Sequence, residues 1–206
     1  MNNVYILLDG SGSMASQWTE ALSSINAYVK ALEDNNINIF LAKFDSTGIF
    51  AHPQNEMKYN VLRMSTRAFW KDLTASDAQP GGGTPLYDAA YRTMERIVED
   101  NPERAIFVVM TDGEENSSTK HNQNEVRKMV SKLKDKKYEV VFLGANFDNV
   151  GMTAQAFGEY DPSKFVHVTT KNLDKTLRSS SAKTMSYFAS GAAVNYSAQD
   201  KSEAVK

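Results

Sequence analysis

Val4-Tyr5-Ile6-Leu7-Leu8 runs straight into Asp9-Gly10-Ser11-Gly12-Ser13. The apolar run reads as a buried strand, and the acid and glycine-spaced serines as the loop at its carboxyl end. In open α/β sheets that edge is where ligands bind. Asp9, Ser11 and Ser13 alternate, so a turn built on Gly10 and Gly12 can aim their oxygens at one point. Hard oxygens converging from one loop suggest a small divalent cation, since such ions prefer oxygen ligands. The remaining ligands must come from elsewhere in the chain. Taken alone, the same residues also read as a flexible turn with a serine helix cap.

Outward from this loop, Trp18, Ala21, Leu22, Ile25, Tyr28, Val29 and Leu32 recur at helical spacing and end near Asn35-Asn36. Ile37 to Phe44 reads as the second strand. Thr47-Gly48-Ile49-Phe50 reads as a third, hairpinned to it through Asp45-Ser46. A short helix is expected between Ser65 and Leu73. Pro80-Gly81-Gly82-Gly83-Thr84-Pro85 is a loop that opens a helix carrying Leu86, Ala89, Ala90, Met94 and Ile97, with Pro85 in its first turn. Arg104 to Met110 reads as a central strand, and it ends at Thr111-Asp112-Gly113, again an acid and a glycine at a strand's carboxyl end. A helix through Val126 and Leu133, a strand from Glu139 to Leu143, a short helix from Val150 to Phe157 and a strand from Phe165 to Val168 follow. A last helix spans Asn172 to Ala189. Strands alternating with helices imply an α/β, doubly wound and mostly parallel sheet covered on both faces. One domain over residues 1–190 accounts for these elements, and residues 191–206 read as a frayed tail.

Composition narrows the function classes. The 206 residues suit one well-buried core. A net charge of −2 argues against electrostatically driven binding to nucleic acid or acidic lipid. The absence of cysteine excludes disulfides, zinc thiolate sites and cysteine nucleophiles. No run approaches the roughly 18 apolar residues of a membrane helix. The first strand starts so close to Met1 that no secretory leader is expected, which makes a cytoplasmic protein the default.

If the sheet is doubly wound, Asp9, Ser11, Ser13, Thr84 and Asp112 lie at one edge. The pattern Asp-x-Ser-x-Ser, a distant threonine in Gly82-Gly83-Thr84-Pro85-Leu86-Tyr87-Asp88-Ala89, then Thr111-Asp112-Gly113, resembles the von Willebrand factor A domain and its metal-ion-dependent adhesion site. In Asp112-Gly113-Glu114-Glu115-Asn116 and Leu143-Gly144-Ala145-Asn146 the chain is most similar to small stand-alone A domains of bacteria and their phages. The resemblance implies an open Rossmann-like sheet of order 3-2-1-4-5-6 with strand 3 antiparallel. It implies Mg²⁺ or Mn²⁺, with Ser11 and Ser13 as direct ligands and Thr84 direct or through water. Asp9 and Asp112 would mainly hold coordinated waters. It also implies a protein partner that donates a Glu or Asp carboxylate.

Neutral hydroxyls do little to quench a dication, while two carboxylates balance its charge at longer range, so the ion stays electrophilic toward an incoming acid. Such a site is built to recognise rather than to catalyse. Self-association, with a neighbouring copy supplying the acid, is the alternative for a chain that is otherwise monomeric. Metal-assisted hydrolysis is the weaker rival. The serine run lacks the Gly-x-Ser-x-Gly elbow, and no lysine-bearing phosphate loop is present. Asp88 reads as a solvated helix acid, with a hydrogen bond back to the loop as the alternative. Glu114 and Glu115 read as rim charges, or as charges that bias partner choice by repelling acidic ligands. Asn146 and Asp148 read as loop caps, with lining of the same face as the alternative.

Overall fold

A computed structural model describes residues 1–48, 56–146 and 149–206. β1 (Asn2–Asp9) is central, with α1 (Trp18–Lys30), β2 (Asn38–Ser46) and β3 (Met57–Thr66) following it. Next come α2 (Leu86–Asp100), β4 (Arg104–Thr111), α3 (Gln123–Asp135), β5 (Glu139–Ala145) and α4 (Val150–Ala156). β6 (Phe165–Val168), α5 (Leu173–Ser190) and α6 (Ala198–Ala204) complete the strands and α-helices among the described residues. The sheet has the order β3-β2-β1-β4-β5-β6. β3 is antiparallel to β2, and the other pairings are parallel.

The side-chain alternation of β1 builds two cores. Val4, Ile6 and Leu8 pack with Trp18, Ile25 and Val29 of α1 and Leu177 of α5. Tyr5 and Leu7 face the other way, into a core with Ala89 and Met94 of α2, Val130 of α3 and Ala154 of α4. Both layers being apolar explains why β1 and β4 are near-continuous hydrophobic runs.

The third strand departs from expectation. Thr47 and Gly48 form a bend rather than a strand, and the expected Ile49 and Phe50 lie outside the described residues. The antiparallel partner of β2 is instead Met57–Thr66, with an irregularity opposite Leu41 and Ala42. As an edge strand it carries Lys58, Asn60 and Arg63 among its apolar residues, which hides its period. The helix expected between Ser65 and Leu73 shrinks to one 3-10 turn at Arg67–Phe69. Beyond it the chain is held extended by Asn26, whose side chain donates to Leu73 O (2.9 Å) and accepts from Leu73 N (2.8 Å).

The expected fraying of residues 191–206 is not found. Val194 and Tyr196 are buried, and Ser197 and Asp200 form a capping box that starts α6. Lys183 of α5 then pairs with Asp200 at 3.0 Å, and Thr169 N donates to Ala204 O at 3.1 Å. Asp200, Lys201 and Glu203, which read as a solvated tail, are half-buried; Asp200 and Glu203 pair with Lys183 and Lys175 of α5, and Lys201 lies over the Phe165 ring. Among the described residues no helix is long and apolar enough to cross a membrane.

Burial alone would raise the Asp200 carboxyl, but hydrogen bonds from Ser197 and Lys183 outweigh it and hold the group down at about 2. A depressed carboxylate contributes stability above its unfolded pKa and loses it as pH falls through the folded one. Protection of the α6 amides from hydrogen exchange is therefore expected to fall between the ordinary value of 3.8 and about 2. In Asp200→Asn that acid step should vanish, with protection already low at neutral pH.

Candidate metal centre

Parallel register sets the site. Leu8 lies opposite Met110, so the next step along both strands brings Asp9 beside Thr111. Asp9 is fully buried, and it is held by two donors: Thr111 Oγ1 donates to Oδ2 at 2.6 Å and Ser11 N to Oδ1 at 2.8 Å. Burial pushes its carboxyl up to about 6 against the pull of those hydrogen bonds. Thr111 was not singled out from the sequence. It also accepts from Gly113 N at 3.1 Å, so one hydroxyl ties the acid of β1 to the turn after β4.

The Ser13 hydroxyl donates to Asp112 Oδ1 at 2.8 Å and lies 3.1 Å from Ser11 Oγ. Gln17, a second residue the sequence reading missed, donates to Asp112 Oδ2 at 3.1 Å and accepts from Asn146 Nδ2 at 3.0 Å. Burial raises the Asp112 carboxyl as well, opposed by Ser13 and Gln17. Asn146 adopts a left-handed φ of 50°, and it serves the site through Gln17 rather than as a simple loop cap. Asp148 lies outside the described residues.

The third loop is positioned by backbone. Gly12 N donates to Gly82 O at 3.0 Å, and Gly81 N to Gly10 O at 2.8 Å, so the Gly80s loop clips onto the serine loop. Gly82 has a φ of +71°, and a Cβ there would sit 1.8 Å from Ser46 O, which leaves room only for glycine. Thr84 N donates to Asn116 Oδ1 at 2.8 Å, and Asn116 N to Thr84 O at 3.2 Å. A Cβ built on Gly113 would meet Thr84 Oγ1 at 3.7 Å and Ser13 Oγ at 3.9 Å, so these hydroxyls border the same point. Asp9, Ser11, Ser13, Thr84 and Asp112 thus meet at the carboxyl edge of β1 and β4.

Two neighbouring acids behave differently from expectation. Asp88 is buried, not solvated, and accepts backbone N–H groups from Thr119 (2.9 Å), Lys120 (3.1 Å) and His121 (2.6 Å). Glu115 is no rim charge, since it accepts from Tyr87 N, Ser117 N and Ser118 N at 2.7–2.9 Å. Both hold the loop after β4 in shape. Glu114 remains exposed.

Among the described residues no group of three His, Asp or Glu side chains could hold a metal. The oxygens gathered here are instead hydroxyls beside two carboxylates. They suit a hard divalent cation in type, and a cation would favour the ionised form of Asp9 and Asp112 that burial disfavours. The Ser11 and Ser13 hydroxyls hydrogen-bond to each other, and Ser13 to Asp112.

The fold and this edge place the chain in a known family. It belongs to the von Willebrand factor type A domain family, whose model matches residues 3–189. No curated protein matches the sequence. Among solved structures it is similar to the pilus adhesin SpaC of Lactobacillus rhamnosus GG in an open conformation (TM-score 0.66, 12% identity, 90% of this chain and 30% of that one). It is also similar to a von Willebrand factor type A protein from Catenulispora acidiphila (TM-score 0.59, 16% identity, 89% of this chain and 42% of that one). A third likeness is to manganese-loaded TRAP of Plasmodium vivax (TM-score 0.55, 16% identity, 85% of this chain and 71% of that one). The chain spans less than half the length of the first two. At these identities the likeness is one of fold.

Thr111→Val keeps the shape of a fully buried residue but removes a donor from Asp9. Leaving a buried carboxylate oxygen unpaired costs about 1–3 kcal/mol. Urea unfolding of the metal-free protein should show a loss of that size, whereas Ser13→Ala, at an exposed position, should change stability little.

Proposed function

We propose that this chain is a protein-binding module whose affinity depends on Mg²⁺ or Mn²⁺ held by Asp9, Ser11, Ser13, Thr84 and Asp112, and that it recognises an acidic residue of its partner. The convergence of hydroxyls from two loops on the carboxylates of Asp9 and Asp112 carries this reading. When bound, the cation supplies an electrophilic centre that a carboxylate can join. The chain's own residues do the rest. Ser11, Ser13 and Thr84 offer neutral oxygens that leave most of a dication's charge unquenched. Asp9 is fixed by Thr111 and Ser11, and Asp112 by Ser13 and Gln17, so negative charge is held in place without flooding the site.

The same fixation supports binding over catalysis. Both oxygens of Asp9 and both of Asp112 accept hydrogen bonds, which suits groups that hold charge in place. Two similar structures, a pilus adhesin and a manganese-loaded protein, agree with adhesion and with a divalent ion.

Thermal melting with Mg²⁺, with Mn²⁺ and with EDTA tests the reading. A ligand that binds only the folded state adds RT ln(1 + [L]/Kd), about 2.7 kcal/mol at a hundredfold excess over Kd. The wild type should melt higher with either ion, and Asp9→Ala and the double variant Ser11→Ala/Ser13→Ala should not respond. A wild type that melts identically in EDTA and in excess Mn²⁺ would contradict it.

A further inference from the structure

We infer that the partner's acid is accompanied by a large apolar side chain, one or two residues away, which seats in a recess beside the metal loops and packs on Met152. The inference rests on the metal-dependent reading above and names the chemistry of its partner.

The recess is about 180 Å³ and is lined by Leu86, Tyr87, Glu115, Met152, Thr153 and Ala156, with Glu114 at its rim. Its walls come from the segments that build the candidate centre. Leu86 and Tyr87 follow Thr84-Pro85, and Glu114 and Glu115 follow Asp112-Gly113. The remaining wall is α4, tied to the same loop by Asn149 Nδ2 donating to Glu114 Oε1 at 3.3 Å. Gly113 touches the point that Thr84 and Ser13 border, and the recess begins one residue later. An extended chain advances about 3.3–3.6 Å per residue, and the inference places a residue one or two steps from the metal-seeking acid in the recess.

The lining selects the occupant. Leu86 and Thr153 are buried, and Tyr87 and Ala156 are half-buried. Glu115 is spent on backbone N–H groups and does not seek a cation. Met152 is 64% exposed despite being apolar, and a thioether chain adapts to whatever packs on it. An engineered apolar cavity of roughly 150 Å³ holds benzene, so this recess has the size for one aromatic or branched aliphatic side chain. Exposed Glu114 at the rim disfavours a second acid in that position.

The test uses the full chain labelled at its methionine methyl groups, saturated with Mg²⁺, and titrated with short capped peptides. One set carries glutamate beside phenylalanine, in either order. Controls replace phenylalanine by glycine or lysine, or glutamate by glutamine. The glutamate–phenylalanine peptides should shift the Met152 methyl resonance and bind about tenfold tighter than the glutamate–glycine peptide, a difference of about 1.4 kcal/mol. Met152→Asp, at an exposed position, should erase that preference while keeping Mg²⁺-dependent binding of the glycine peptide. Equal binding of the phenylalanine and glycine peptides, a preference that survives Met152→Asp, or tighter binding of the lysine peptide overturns the recess and leaves the metal reading standing. Binding of the glutamine peptide as tight as glutamate, or no Mg²⁺-dependent binding at all, overturns the metal reading and this inference with it.

Discussion

Burial of the Asp9 carboxylate constrains the rest of this molecule. A charged group taken fully out of water is costly unless it is paired or hydrogen-bonded. Here it sits at the end of the central strand, with β2 on one side and β4 on the other. Its two oxygens depend on Thr111 and on the amide of Ser11. The first requires β4 to lie parallel and in register with β1. The second requires the chain to turn at Gly10, where a Cβ would strike the stem of Lys43. Lys43 is itself buried and ion-paired with Asp45, so the turn, the second strand and the acid are packed as one unit.

Around that acid the loops are ordered by backbone hydrogen bonds more than by side chains. The Gly80s loop docks on the serine loop through Gly81 and Gly82, and Asn116 grips both backbone groups of Thr84. Asp88 and Glu115, which look like candidate ligands by type, are consumed in capping the amides of residues 117–121 and of Tyr87. The centre is therefore chemically sparse: hydroxyls and two restrained carboxylates, with the other nearby acids turned to scaffolding. In the proposed function, that division would leave a cation at this edge enough charge to draw an outside carboxylate.

How much of this was legible in the sequence follows from where the information is local. β1, β4 and the first helix announce themselves because their apolar residues face two cores at fixed periods, and the Asp-x-Ser-x-Ser loop because glycine spacing is a local property. The strand order came with the family resemblance. β3 did not announce itself, since an edge strand needs only half of its side chains inside and carries Lys58, Asn60 and Arg63. The docked tail was hidden because its anchors are few, Val194, Tyr196 and Ala204 among polar residues. Thr111, Gln17 and Asn116 were invisible for another reason. Their roles exist only across segments distant in sequence, as in Gln17 reaching Asp112 and Asn146. Of the three, only Thr111, which stands inside the Thr111-Asp112-Gly113 motif at the end of a strand, carried a local signal that could have found it.

The most direct test of the central claim is anomalous diffraction from crystals grown with Mn²⁺. The expected result is a single manganese peak bordered by the Ser11, Ser13 and Thr84 hydroxyls and by Asp9 and Asp112, absent from crystals of Ser11→Ala/Ser13→Ala. A peak placed elsewhere on the chain, or none at this edge with the loops ordered, would contradict the account.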